Sequence, residues 1–155
     1  MGLDFMIYKV KKNSIDAHDA DKAWAATDNA TALAYGRKSW ELVDALNVDA
    51  NQTYSQIKKE DWDALIKNIK QIEFVLRKLY DYNLDEMDDE DEDTWNEYNS
   101  FMRVYEMWHG SVFGRGPVLG YDFSVAYMLN FLDADEEVQD AFNDKDMEVW
   151  GFASY

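Results

Sequence analysis

Carboxylates are the side chains of this sequence whose number and clustering could do chemistry. The chain has 155 residues and a formal net charge of −17, from 15 Lys and Arg against 32 Asp and Glu. Residues 81–99 hold ten acids and no base, and residues 133–148 hold eight acids and one base. The rest of the chain holds 14 acids and 14 bases, so these two acidic blocks account for the whole net charge. Clustered carboxylates can bind divalent cations, act as acid–base pairs or attract a basic partner.

Calcium binding of the EF-hand type requires oxygen ligands at fixed positions, a glycine at position six and a glutamate at position twelve. Counting from Asp89 places Thr94 at the glycine position and Ser100 at the glutamate position. Counting from Asp133 places Val138 at the glycine position. The spacing therefore excludes an EF-hand, and weak, nonspecific divalent binding by the first block stays open.

Other catalytic side chains are scarce, because the chain has no cysteine and two histidines. His18 falls in an acidic loop, and His109 falls at the predicted end of a helix, where the dipole favours it without a catalytic role. Residues 114–120 resemble a dinucleotide-binding loop, but they follow a helix and are one residue too long. Pro117 also lacks the N–H group that a phosphate would use. We predict a non-enzymatic protein without a cofactor or metal; a divalent-dependent hydrolase is a further alternative.

The acidic blocks themselves carry the main functional prediction. In a helix, Glu136, Asp140 and Asp144 would form a row of carboxylates about 6 Å apart. Like charges at that spacing repel, so they are tolerated rather than stabilising. Such rows could imitate the charge of a nucleic-acid duplex and bind a Lys/Arg-lined groove, while a merely solvated acidic face is the alternative. The predicted partner-binding residues are Asp85, Glu86, Asp88, Asp89, Glu90, Asp91, Glu92, Asp93, Glu136, Glu137, Asp140, Asp144 and Arg115.

Helices are the predominant elements that must position these acids. The pattern predicts strands at Phe5–Val10, Tyr54–Ile57 and Met147–Tyr155, and a loop or short helix at Ile15–Asp28. It predicts helices at Thr31–Leu46, Glu60–Tyr80, Thr94–Trp108, Asp122–Phe131 and Asp133–Asn143, with an acidic loop at 85–93 and a Gly-rich loop at 110–120. We expect one domain over residues 1–155 with an α-dominant α+β fold. Four to five helices should pack on a small antiparallel sheet that includes the N- and C-terminal strands.

Charge and hydropathy also bear on location. No apolar run approaches the roughly 18 residues that a membrane span needs, and the N-terminus lacks the order of a signal peptide. The absence of cysteine fits a reducing compartment. Nucleic acid and anionic membranes are polyanions, so we expect neither as a direct ligand. These features predict a cytoplasmic protein; its oligomeric state stays open.

The two ends of the chain resemble a group of small, uncharacterised phage and prophage proteins that begin Met-Gly-Leu-Asp-Met-Tyr-Leu. Here the opening is Met-Gly-Leu-Asp-Phe-Met. The group's Tyr-Trp-Arg-Lys-Ala-Asn helix is similar to residues 35–40, which differ at Gly36 and Ser39, and its Tyr-x-Ser-Ser-Trp strand is similar to residues 152–155. The group has no established catalytic residues. The resemblance implies a phage setting, in which small acidic proteins often disarm host defences.

These observations lead to a functional hypothesis. The protein is predicted to be a phage-encoded inhibitor of a basic, nucleic-acid-handling host defence protein, of the anti-CRISPR or anti-restriction type, acting as a DNA mimic. The alternative is a phage accessory or assembly protein that binds another protein through an aromatic or Gly-loop surface. The first predicts binding that weakens with salt, because exposed charges are screened within about 8 Å at physiological ionic strength.

Overall fold

The chain forms a four-stranded antiparallel sheet accompanied by helices. The computed structural model describes residues 3–16, 19–28, 30–48, 53–82, 87–88, 91–116 and 121–154. The strands are β1 (Asp4–Lys11), β2 (Thr31–Arg37), β3 (Thr53–Gln56) and β4 (Met147–Ser154). The helices in the described residues are α1 (Ala20–Asp28), α2 (Trp40–Ala45), α3 (Lys59–Lys70), α4 (Glu73–Asp81), α5 (Glu92–Phe113), α6 (Tyr121–Asp133) and α7 (Asp135–Asn143). The predicted helix-dominant α+β fold is confirmed, but the described residues form seven helices where four to five were predicted.

The two terminal strands lie at the centre of the sheet, whose order is β2-β1-β4-β3. Strand β1 pairs with β4 along its whole length, from Asp4 opposite Ser154 to Lys11 opposite Met147. The predicted sheet that includes the two terminal strands is thus confirmed. The centre of the sheet therefore depends on pairing between two segments that are far apart in the sequence.

The main core lies between one face of the sheet and the helices that follow β2. The Phe131 ring of α6 stacks between Phe5 of β1 and Trp62 of α3, with ring centroids 5.8 Å apart in each pair. All three side chains are fully buried. Gly151 of β4 lies beneath this cluster, and a Cβ atom there would come within 3.2 Å of Phe5. The aromatic stack therefore fixes how closely the helices approach the sheet.

The predicted helix over Thr31–Leu46 is wrong in its first half. Residues 31–37 form β2, which pairs with β1, and the helix begins only at Trp40. Lys38 adopts a left-handed φ of 51° between the two elements. The apolar spacing in this segment is compatible with a helix, but local propensity is weak where a neighbouring strand offers hydrogen bonds. Sheet pairing therefore decided the conformation.

Two other predicted boundaries change. The helix predicted over residues 60–80 is interrupted at Gln71 and Ile72, which separate α3 from α4. The Gly-rich loop predicted over residues 110–120 is helical through Phe113, and Gly114 ends α5 with a φ of 76°. Glycine takes this left-handed conformation without steric cost and commonly terminates helices. Residues 117–120 lie outside the described residues.

Candidate partner-binding surfaces

The described end of the first acidic block forms the start of α5. Asp91 is the N-cap: its carboxylate accepts hydrogen bonds from the Thr94 backbone N–H at 3.1 Å and the Thr94 hydroxyl at 2.6 Å. These hydrogen bonds lower the pKa of the Asp91 carboxyl. The Trp95 indole N–H donates to the backbone carbonyl of Asp88 at 3.1 Å. Part of this block thus has a structural role, the satisfaction of free N–H groups at a helix start.

The next two acids of that block are exposed. Glu92 and Asp93 lie in the first turn of α5, where the helix dipole favours negative charge. Their side chains make no hydrogen bond or ion pair with any described residue. The remaining predicted members, Asp85, Glu86, Asp89 and Glu90, lie outside the described residues, as does His18.

The first two acids of the second block make contacts between helices. Asp133 accepts from the Arg77 guanidinium at 2.6 Å, which links the end of α6 to α4 and raises the pKa of Arg77. Asp135 accepts from the indole N–H of buried Trp62 at 2.8 Å and lies 3.8 Å from Lys70. These carboxylates already have partners within the protein, so they are poorly placed to receive an external one.

The exposed part of the second block lies on α7. Glu136, Glu137 and Asp140 are exposed, and their side chains make no hydrogen bond or ion pair with the described residues. Asp144 is the C-cap of α7, with an extended ψ of 111°, and its carboxylate accepts from the Asp146 backbone N–H at 2.9 Å. The predicted i,i+4 row is therefore helical at Glu136 and Asp140, and Asp144 leaves the helix.

Arg115 contacts Asp44 and His109 of its own chain. Its guanidinium is 3.4 Å from the Asp44 carboxylate at the end of α2. Its backbone carbonyl lies 2.6 Å from Nδ1 of His109, which must carry a proton to donate there. Arg115 makes none of the described contacts with the acidic blocks, whose internal partners include Thr94, Arg77 and Trp62.

A buried Glu41–His109 pair is the unexpected polar feature of the core. His109 lies within α5 rather than at its end, and its side chain is 0% exposed. Its Nε2 atom is 3.2 Å from Oε1 of Glu41, which is itself 4% exposed. The other carboxylate oxygen of Glu41 is buried and accepts no hydrogen bond from the described residues. Since both imidazole nitrogens are engaged and enclosed, a substrate cannot reach this histidine, and we assign the pair a structural role.

Sequence reasoning did not identify Glu41, although a signal was present. It is an acid within Trp-Glu-Leu-Val, where its neighbours Leu42 and Val43 are core residues. Carboxylates in such apolar surroundings are buried only when they are paired. A partner for Glu41 could therefore be anticipated, whereas its identity, 68 residues away along the chain, could not.

Two further observations concern the described residues. They contain no group of three or more His, Asp or Glu side chains arranged to hold a metal ion. Nor do the described segments include a helix that combines the length and apolar character needed to cross a membrane.

Comparisons with protein-family models, curated proteins and solved structures found no match to this chain. The resemblance to the phage group therefore rests on the residues quoted above, at the two ends and at positions 35–40, and the function must be argued from the surfaces themselves.

Proposed function

We propose that this protein is a non-enzymatic, phage-encoded inhibitor that occupies the basic, nucleic-acid-binding groove of a host defence protein. The observation that carries the proposal is the set of exposed carboxylates on α7 that make no hydrogen bond or ion pair with the described residues, namely Glu136, Glu137 and Asp140. Glu92 and Asp93 at the start of α5 supply further exposed charge. A basic groove could pair with these acids without breaking an ion pair of the fold.

The orientation of α7 supports this assignment. Asp135 and Gln139 are one helical turn apart and face α3, where Gln139 donates to Asp63 at 2.6 Å and Asp135 lies near Lys70. Glu136 and Asp140 follow them directly, so they are rotated by about 100° around the helix axis. The helix therefore separates acids that pair with α3 from acids that face solvent.

The proposal requires binding that weakens with salt. Exposed charges interact over roughly one Debye length, about 8 Å at physiological ionic strength. A partner that normally binds a polyanion is recruited by the same electrostatic attraction. Duplex DNA should therefore compete with this protein for the partner, which separates groove occupation from binding elsewhere.

The test compares two triple variants of equal charge in pull-downs from nuclease-treated host lysate. One neutralises α7 by Glu136→Gln, Glu137→Gln and Asp140→Asn. The control neutralises three exposed acids outside both blocks by Asp21→Asn, Glu60→Gln and Glu106→Gln. Each bait is tested at about 50 mM and about 200 mM salt, a range that strongly affects polyanion mimics.

We expect the wild type and the control to capture a basic, nucleic-acid-binding protein at low salt, and the α7 variant to lose it. Duplex DNA should displace the captured protein. If the α7 variant captures the same partner as tightly as the control does, the acidic face is not the binding surface. A partner that DNA does not displace would contradict occupation of its groove.

A second candidate function rests on exposed apolar side chains of α4 and α5. Phe74 is 67% exposed and Met107 is 76% exposed. The Phe74 ring of α4 packs edge-on against the Phe101 ring of α5, with ring centroids 6.1 Å apart. This surface suits an accessory or assembly protein that binds another protein through aromatic contacts. Such binding should tolerate salt and fail in a Phe74→Ala, Met107→Ala variant that retains the α7 acids.

A further inference from the structure

The sheet face opposite the main core carries an aromatic groove. Helix α1 covers only part of this face and packs over a small cluster of buried residues that includes Ala23, Tyr54 and Trp150. Beside the helix lies a cavity of about 520 Å³. Its walls include Tyr8 of β1, Trp24 of α1 and Phe152 of β4. A volume of this size is in the range of small-molecule sites.

The aromatic rings of the groove are arranged for contact with a ligand. Tyr54 and Phe152 stack with ring centroids 4.5 Å apart on the floor of the sheet. Trp24 stands at the rim with 62% of its surface exposed. Helix α1 holds this indole beside the cavity rather than in the core, so its ring face is available to a ligand in the groove. Aromatic faces attract cations through their negative electrostatic potential.

The tyrosine hydroxyls offer lone pairs rather than protons to a ligand. The Tyr8 hydroxyl donates to the Met6 sulfur at 2.8 Å. The Thr27 hydroxyl donates back to a carbonyl of its own helix, so the Tyr54 hydroxyl donates its proton to Thr27 at 2.9 Å. Burial, with a contribution from Tyr54, raises the pKa of Tyr8, which keeps this hydroxyl neutral. The groove therefore favours a ligand that donates hydrogen bonds.

Two carboxylates lie at the groove, and none of the described residues that line it is Lys, Arg or His. Asp4 accepts from the Tyr35 hydroxyl at 2.9 Å and lies 3.9 Å from Arg37. Asp28 makes no hydrogen bond or ion pair with the described residues. It is the last residue of α1, where the helix dipole disfavours negative charge and the last turn holds no base. A bound cation would relieve this unfavourable position.

We propose that this groove binds a small aliphatic ammonium ion, with the apolar chain against the aromatic wall and the charged head near Asp28. The site is separate from the acidic surfaces of α5 and α7, so it stands or falls independently of the proposed inhibitor function. A neutral apolar ligand would pack against the rings but leave the carboxylates without a counter-charge, and an anion would be repelled by the carboxylates.

The probes are n-pentylammonium chloride and pentan-1-ol, which share a chain and differ in charge. Each is titrated into the full-length protein at constant ionic strength, and binding is followed by the NMR signal of the Trp24 indole N–H. We expect saturable binding of the ammonium ion that is roughly three- to thirtyfold tighter than that of the alcohol. Equal affinity for the two probes, or no saturable change at Trp24, would overturn the proposal.

Matched variants locate the charge and the ring. Asp28→Asn should weaken n-pentylammonium binding by roughly two- to fivefold, the effect of losing an exposed ion pair, whereas Asp21→Asn at the other end of α1 should not. Trp24→Ala, followed by isothermal titration calorimetry, should weaken binding, whereas Phe74→Ala outside the groove should not. All four residues are exposed, and thermal melting monitors the fold. An equal loss in Asp21→Asn would show that general negative charge, rather than this groove, attracts the cation.

Discussion

Replacement of His109 by Phe should destabilise the protein, because it leaves the Glu41 carboxyl buried without a partner. The pair is enclosed by Tyr105, Trp108 and Phe113, whose ring centroids lie 4.9 to 6.3 Å from that of His109. An aromatic replacement therefore fits the site, and the effect reports the lost polar contact rather than a cavity. Leaving a buried polar group without its hydrogen-bonding partner costs about 1–3 kcal/mol. For a chain of this size that corresponds to a loss of roughly 2–12 °C in Tm.

The reciprocal and double variants isolate the interaction. Glu41→Met leaves one imidazole nitrogen unpaired, which should cost about 1–3 kcal/mol. The double variant removes both polar groups and loses only the hydrogen bond to the Arg115 carbonyl, so it should cost about 1 kcal/mol. The double variant should thus be more stable than His109→Phe alone. The double variant is expected to be the more stable of the two because both side chains are buried, so a single remaining polar group cannot be solvated.

The assay is equilibrium urea unfolding followed by tryptophan fluorescence and far-ultraviolet circular dichroism. Coincident transitions from the two probes justify a two-state free energy. If the costs of the two single variants simply add in the double variant, Glu41 and His109 are not energetically coupled. The assignment of the pair as a structural unit of the core would then be refuted.

Three further predictions concern the core and the pH response. Phe131→Ala removes the ring between Phe5 and Trp62, and urea unfolding should show a loss of about 3–5 kcal/mol; a loss below 1 kcal/mol would contradict the stack. Gly151→Ala introduces a Cβ atom within 3.0 Å of two branched side chains, so calorimetry should show a destabilisation of about 1–3 kcal/mol, and an unchanged Tm would contradict this packing. Hydrogen bonds from Lys and Gln side chains lower the pKa of Asp63, so its stabilising effect is complete above about pH 4 and is lost as pH falls through the lowered pKa. Stability measured from pH 6 to pH 2 should therefore fall less in Asp63→Asn than in the wild type, and equal slopes would refute the argument.

Much of the architecture was accessible from local pattern. The Phe5–Val10 run predicts a strand that the structure extends by one residue at each end. The apolar stripe from Trp62 to Tyr80 predicts the buried faces of α3 and α4, whose core residues are spaced by helical turns. Its last member, Tyr80, is wrong, because the structure leaves that side chain 64% exposed. These predictions succeed because the period of apolar residues depends on the geometry of each element alone.

The β2 segment shows why other features were not accessible. The apolar pattern of its residues is compatible with either a helix or a strand, and hydrogen bonding to β1 favours the strand. Likewise, the apolar residues on both faces of β1 indicate that both faces are covered. They cannot indicate that α1 covers the second face only partly and leaves the groove beside Trp24.

For the acidic blocks, too, some properties follow from the sequence and others only from the tertiary structure. Their position along the chain and their share of the net charge are properties of the sequence. Tertiary structure decides which carboxylates have partners inside the protein. Asp133 pairs with Arg77 and Asp135 accepts from Trp62, and both partners lie on helices more than fifty residues earlier in the chain. The structure engages Asp133 and Asp135 internally and leaves Glu136, Glu137 and Asp140 exposed. Charge is additive along a sequence, whereas the availability of each charge depends on the neighbours that folding brings to it.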